Sequence, residues 1–257
     1  MERESAKRFS IRPRDRESKR RPGRTVTANP VFVAIDTTDL RQAHTLAARL
    51  TPHIGGVKLG LEFFSAHGPD GVRGFSDLNL PIFLDLKFHD IPNTVAGAIR
   101  AAAGLGVDIL NVHAAGGPAM LKAAVEAARG ANPKTKIIAV TVLTSLADAD
   151  LEAVGQRGPA IDQVVRLARL TRDCGLDGVV CSPHEIAILR ETLGPDFLLA
   201  VPGIRPKGAD LGDQQRVMGP KEAKDAGASL LVIGRPITAA PDPVQAARAI
   251  AESLGFS

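Results

Sequence analysis

Four charged residues, Asp36, Lys58, Asp85 and Lys87, sit at the ends of short apolar runs, where their types and spacing could do chemistry. In IFLDLK, residues 82–87, alternate side chains of an extended strand point the same way, so Asp85 and Lys87 are expected to share one face. Their neighbours Leu84, Leu86 and Phe88 are large and apolar. Charge placed at the end of a buried strand is costly unless it is paired, and a single salt bridge would meet that need. Four converging charges exceed it and point to a functional cluster. The chemistry open to fixed ammonium and carboxylate groups is electrostatic stabilisation of developing charge, together with proton transfer.

The elements that position these residues are legible from periodicity. Eight short, nearly continuous apolar runs lie at 31–36, 55–60, 82–87, 107–112, 136–142, 177–182, 197–203 and 229–234. Such runs suit parallel strands covered on both faces. Stretches of helical period lie between and after them, at 39–50, 93–106, 117–130, 159–175, 182–194 and 242–254. Asp39, Ser182 and Asp242 fit N-caps, and Gly106, Gly130, Gly175 and Gly194 fit the left-handed position after a helix. This alternation predicts an α/β fold, a single (β/α)8 barrel. A doubly wound open sheet competes, but AIDTTDL follows the first strand where a dinucleotide loop would need GxGxxG. In a barrel, the charged strand ends converge on the catalytic face.

The chain has 257 residues, 44% hydrophobic and 23% charged, in the range of an ordinary globular enzyme. Cys174 and Cys181 have neither CxxC spacing nor histidine partners, and read as free core thiols in a reducing compartment. No apolar run approaches the roughly 18–20 residues of a membrane span, so a cytoplasmic protein is expected. No grouping of His, Cys and carboxylates has metal-ligand spacing. The net charge of +4 is unevenly spread. Residues 1–30 carry ten Lys/Arg against four acidic residues, or +6, leaving −2 for residues 31–257. With only Phe9, Ile11 and Val26 as large apolar residues, this leader cannot bury enough surface to offset ordering entropy, and is expected to be a disordered extension to the 31–257 barrel. Its sharper reading is weak electrostatic contact with RNA or another polyanion.

The segment DLKFHDIPNT, Asp85 to Thr94, closely resembles the DxKxxDIPNT signature of the orotidine 5′-phosphate decarboxylase family. VFVAID, VKLG, NVHAAGG, VTVLTS, DGVVCS, PGIRP, GDQ and IGRPI follow in family order, so the resemblance covers residues 31–254 and is nearest the bacterial branch. It implies decarboxylation of orotidine 5′-phosphate to uridine 5′-phosphate in pyrimidine biosynthesis, without metal or other cofactor. It also implies that Lys87 delivers the proton to the pyrimidine carbon that loses carbon dioxide, with Asp85 against the departing carboxylate. Lys58 and Asp90 complete an alternating charged array. In the family the aspartate at Asp90 reaches into the partner subunit's site, which implies a homodimer. Asp36 and Lys58 resemble contacts to the ribose hydroxyls, and Ile91 and Thr94 the partner's contribution there.

The last two strands end in VPGIRP and IGRPIT, and barrels commonly hold phosphate after strands seven and eight. Arg235, after Gly234, suits a charge-assisted phosphate contact. Arg205 and Gln214 bracket PKGADLGD, a polar loop long enough to close as a lid. The resemblance places Arg205, Gln214, Gly234 and Arg235 around the phosphate, and Thr144 near the pyrimidine, with Ser145 as its rival. Pro202 is read as lining the base pocket. His89 and His113 are read as structural, His89 pointing away from the Asp85/Lys87 pair and His113 hydrogen-bonding across the barrel mouth. Two other readings stand against this one. A Mg²⁺-dependent sugar-phosphate lyase shares DxKxxD but resembles this chain less, carrying glutamate where Lys58 stands. A non-catalytic nucleotide- or RNA-binding barrel would leave the charged array without a purpose.

Overall fold

In the first strand, Phe32 and Ala34 join one apolar cluster while Val31, Val33 and Ile35 join another. A strand buried on both faces in this way must lie between two layers. The computed structural model describes residues 29–156, 158–206 and 218–256. Its strands are β1 (Val31–Ile35), β2 (Gly56–Leu59), β3 (Ile82–Phe88), β4 (Ile109–His113), β5 (Lys136–Val140), β6 (Gly178–Val180), β7 (Leu198–Val201) and β8 (Leu230–Ile233). All pair in parallel with their sequence neighbours, and β1 pairs with β8, so the sheet closes into the expected (β/α)8 barrel.

Helices α1 (Leu40–Leu50), α2 (Leu61–Arg73), α3 (Pro92–Ala103), α4 (Gly117–Ala131), α5 (Asp148–Ala153), α6 (Ala160–Asp173), α7 (Ile186–Leu193), α8 (Pro220–Asp225), α9 (Arg235–Thr238) and α10 (Pro243–Ser253) intervene or follow. The larger core lies between them and the barrel, and the smaller one fills its interior. Phe32, Phe83, Ile109, Ile138 and Leu230 belong to that inner plug. Burying one such side chain stabilises the fold by about 1.5–3 kcal/mol. Gly56 has no room for more than a hydrogen, since a Cβ there would stand 2.4 Å from the Phe32 ring.

At the N-terminal ends of the strands, side chains pin the register. Asp108, just before β4, accepts from the Ile82 N–H of β3 at 2.9 Å. Asp177, just before β6, accepts from Ile137 of β5 at 2.8 Å, and Ser229, before β8, from Leu199 of β7 at 3.0 Å. Asp177 also pairs with Lys136 at 3.2 Å. These polar groups sit on the barrel face opposite the strand C-termini, where they serve stability.

Several local expectations need correction. No helix is foreseen at Leu61–Arg73, because Gly68 (φ +56°) and Pro69 interrupt its period, yet α2 runs through that kink. The short helices α5, α8 and α9 also lie outside the helical stretches read from period. Asp39 and Asp242 do cap helices, each accepting a backbone N–H. Ser182 holds the N-cap position of the turn Pro183–Glu185, but there Glu185 accepts from the Ser182 N–H at 2.7 Å, while the buried Ser182 hydroxyl has no hydrogen-bond partner among the described residues. Gly106, Gly175 and Gly194 take positive φ, but Gly130 lies inside α4, which continues to Ala131. Cys174 and Cys181 are free and buried, and burial pushes both thiols up, the direction of an unreactive core cysteine. The leader up to residue 28 lies outside the described residues, as does most of the loop expected to act as a lid.

Candidate active site

The inner face of the barrel changes character towards the strand C-termini. Gly56 and Lys58 alternate with Val57 and Leu59, which face the helices, so Lys58 enters the interior above the Phe32 ring. Asp85 follows Phe83 inward in the same manner. Lys58 and Asp85 are both buried, Asp36 is half-exposed just beyond β1, and Lys87 is partly buried. The Lys58 ammonium lies 3.4 Å from Asp36 and 3.4 Å from Asp85, and Lys87 donates to Asp85 at 2.7 Å. The four sequence-predicted charges thus form one chain, Asp36–Lys58–Asp85–Lys87.

Asp85 is the centre of that chain. Burial by itself would raise its pKa, but the Lys58 and Lys87 ammoniums, with hydrogen bonds from Lys87 and Asn111, outweigh it and hold the carboxyl below its ordinary value. Gly60 gives the pair above it room: a Cβ there would stand 2.8 Å from the Lys58 Nζ and 3.1 Å from the Asp36 Oδ1.

Simple alternation does not explain how Lys87 joins Asp85. The pairing of β3 with β4 shifts register between Leu84 and Phe88, and Lys87 has φ of +51°. Side chains other than glycine, Asn and Asp seldom occupy that region. Asn111 of β4, fully buried, bridges the irregularity, and sequence reasoning missed it. Its signal was a lone amide among the apolar residues of VDILNV.

These charges border a cavity of about 500 Å³ whose walls include Phe83, Val140, Val180 and Val232. Thr144, Pro202, Arg205, Gly234 and Arg235 line it as well, so residues from β1, β2, β3 and the loops after β5, β7 and β8 meet there. Four cations (Lys58, Lys87, Arg205, Arg235) against two carboxylates (Asp36, Asp85) give the lining a net positive charge, suited to an anionic ligand. Arg205 is held by its backbone N–H to the Met218 carbonyl at 2.9 Å and donates from its guanidinium to the Ile204 carbonyl at 3.0 Å. Thr144 lines the cavity and its rival Ser145 does not. Gln214 lies outside the described residues.

Asp90, Ile91 and Thr94 are exposed at the start of α3 and do not line their own chain's cavity. The Asp90 carboxylate accepts from the Ile91 N–H, and Ile91 is 67% exposed despite its size. His89 is also outside the lining. Its ring meets that of His113 with centroids 5.4 Å apart, and this ring contact replaces the cross-barrel hydrogen bond expected of His113 among the described residues. Burial lowers the His113 pKa, with the charges of His89 and Lys87 acting in the same direction.

A closed parallel barrel with a paired ammonium and a cationic rim at its C-terminal mouth defines a barrel enzyme acting on small anions. Comparison with known proteins narrows this. Residues 29–250 match the model of the Orotidine 5′-phosphate decarboxylase / HUMPS family, and the chain belongs to that family. It is 59% identical to the orotidine 5′-phosphate decarboxylase of Rhodospirillum rubrum over 91% of this chain and 97% of the relative. It is 57% identical to that of Moorella thermoacetica over 87% of this chain and 91% of the relative. The crystal structure of the Lactobacillus acidophilus decarboxylase, 40% identical, superposes with a TM-score of 0.79 and covers 88% of this chain and 99% of its own.

Proposed function

We infer that this chain decarboxylates orotidine 5′-phosphate to uridine 5′-phosphate in pyrimidine biosynthesis, with Lys87 as the proton donor. The observation that carries the reading is the Lys58–Asp85–Lys87 ion-pair chain on the wall of a cationic, apolar-walled cavity. Breaking the ring–carboxylate bond releases carbon dioxide and leaves its electron pair on the ring carbon. An ammonium fixed beside that carbon stabilises the pair and then transfers its proton, ending as a neutral amine. Asp85 faces the departing carboxylate in this reading. Repulsion between them amounts to about 4 kcal/mol at ~4 Å and an effective dielectric near 20. Enzymes lower barriers by roughly 8–23 kcal/mol, so preorganised stabilisation by Lys87 supplies the larger share.

The remaining residues take supporting roles. Asp36 and Lys58 hold the ribose hydroxyls, Thr144 and Pro202 the base, and Arg205, Gly234 and Arg235, with Gln214, the phosphate. Binding the phosphate far from the reacting carbon contributes orientation to the transition state. Asp90, Ile91 and Thr94, exposed and turned out of their own cavity, serve the site of a second subunit in a homodimer. A cytoplasmic setting suits the two buried free thiols.

The Mg²⁺-dependent lyase reading is disfavoured by charge. Lys58 already places an ammonium 3.4 Å from both Asp36 and Asp85, where a divalent cation would meet repulsion. The test follows orotidylate absorbance and uridylate formation before and after EDTA treatment. Turnover that survives chelation is expected, and turnover lost to EDTA and restored by Mg²⁺ would overturn the cofactor-free assignment.

A further inference from the structure

The Asn111 side chain touches both halves of the catalytic ion pair. Its Nδ2 donates to the Asp85 Oδ1 at 2.7 Å, the same oxygen that accepts from the Lys87 ammonium at 2.7 Å. Its Oδ1 accepts from the Lys87 backbone N–H at 2.8 Å. That N–H belongs to the one residue of β3 with positive φ, at the place where the β3–β4 ladder changes register. The carboxamide therefore replaces a missing ladder bond and secures a backbone turn that lysine seldom adopts. Only a group with a donor and an acceptor side by side can do both. An aspartate could accept from Lys87, but would meet Asp85 as a second carboxylate; a leucine could do neither.

We propose that Asn111 is a positioning residue for the reaction, fixing the Lys87 turn and the Asp85 oxygen in register so that the ammonium is presented to the cavity. This rests on the reading of Lys87 as proton donor. Asn111 is fully buried and does not line the cavity, so its effect must pass through those two residues. It holds the pair in the geometry that proton transfer needs, and its hydrogen bond favours the ionised form of Asp85.

The test measures kcat, KM and the pH profile of kcat for wild type, Asn111→Ala, Asn111→Ser and Lys87→Ala, each scaled to its folded fraction by circular dichroism. Asn111→Ala is expected to lose about 100-fold or more in kcat with KM within about threefold, the pattern of an interaction that acts on the transition state. Its acid limb should move to higher pH, because Asp85 loses a hydrogen bond to its charged form. Asn111→Ser, whose hydroxyl can serve one partner at a time, should fall between, and it carries the test if the alanine variant fails to fold. Wild-type kcat and an unmoved acid limb in a folded Asn111 variant, beside an inactive Lys87→Ala, would overturn this inference alone. A fully active Lys87→Ala would instead overturn the reading beneath it.

Discussion

The Lys87 ammonium reaches Asp85 over 2.7 Å from a backbone whose φ is +51°. A left-handed lysine costs about 1–2 kcal/mol relative to an extended one. Asn111 accepts from the backbone N–H of this turn, and the Asp85 carboxylate accepts from its ammonium. Strain of this kind concentrates at functional sites, and here it lies on the residue assigned the proton transfer.

Gly60 guards the other half of the charged chain. In Gly60→Ala the new Cβ would stand 2.8 Å from the Lys58 Nζ, and the flexible lysine end would move rather than the barrel. The fold should survive, with a melting temperature within a few degrees of wild type. Steady-state kinetics should show a loss of about 10–100-fold in kcat/KM, in line with the cost of a misplaced catalytic group. Unchanged kinetics would mean that the Lys58–Asp36 spacing is irrelevant to turnover.

Asp90 and Lys87 make a prediction about subunits. Asp90→Ala and Lys87→Ala should each be nearly inactive, because in the proposed homodimer either change damages every site. After subunit exchange of an equal mixture, about a quarter of wild-type activity should return, since half the dimers are mixed and each has one intact site. No recovery after exchange verified by mass spectrometry would contradict a shared site.

Asp85 sets a pH dependence. Its folded pKa lies below the ordinary value, so its ionisation contributes stability that is fully present above the unfolded carboxyl pKa of about 3.9 and lost as pH falls through the lower folded value. The difference in unfolding free energy between wild type and Asp85→Asn should therefore stay constant from pH 7 to about pH 4.5 and shrink below that. Denaturant titrations across this range measure it. A difference that shrinks near neutrality would show that the two lysines do not hold the carboxyl ionised.

Far from the cavity, Asp177→Ala should leave kcat unchanged while lowering stability. It removes the acceptor of the Ile137 N–H and the partner of Lys136. A hydrogen bond to a charged acceptor is worth about 1.5–3 kcal/mol, which chemical denaturation would resolve. A loss of activity without a loss of stability would contradict its assignment as a register pin.

Much of this architecture was legible in the chain because the strands are buried on both faces and appear as apolar runs, and because charges at Asp36, Lys58, Asp85 and Lys87 stand out against them. What escaped has physical causes. α2 was hidden by Gly68 and Pro69, which break the helical period without ending the helix. The roles of Asp108, Asp177 and Ser229 depend on a neighbouring strand tens of residues away. Lys87 departs from strand alternation because a buried side chain from β4, Asn111, supplies the bond that the ladder lacks. Asp90, Ile91 and Thr94 were legible only through family resemblance, since nothing within one chain gives them a role in its own cavity.

In the proposed reaction Lys87 supplies both the charge and the proton. Its most direct test is the rate at which orotidylate absorbance falls with Lys87→Ala at saturating substrate, beside wild type and with uridylate identified as product. Removing both the electrostatic contact and the proton donor should lower kcat by at least about 10³-fold while the protein stays folded. A folded Lys87→Ala that turns over at the wild-type rate would contradict the account.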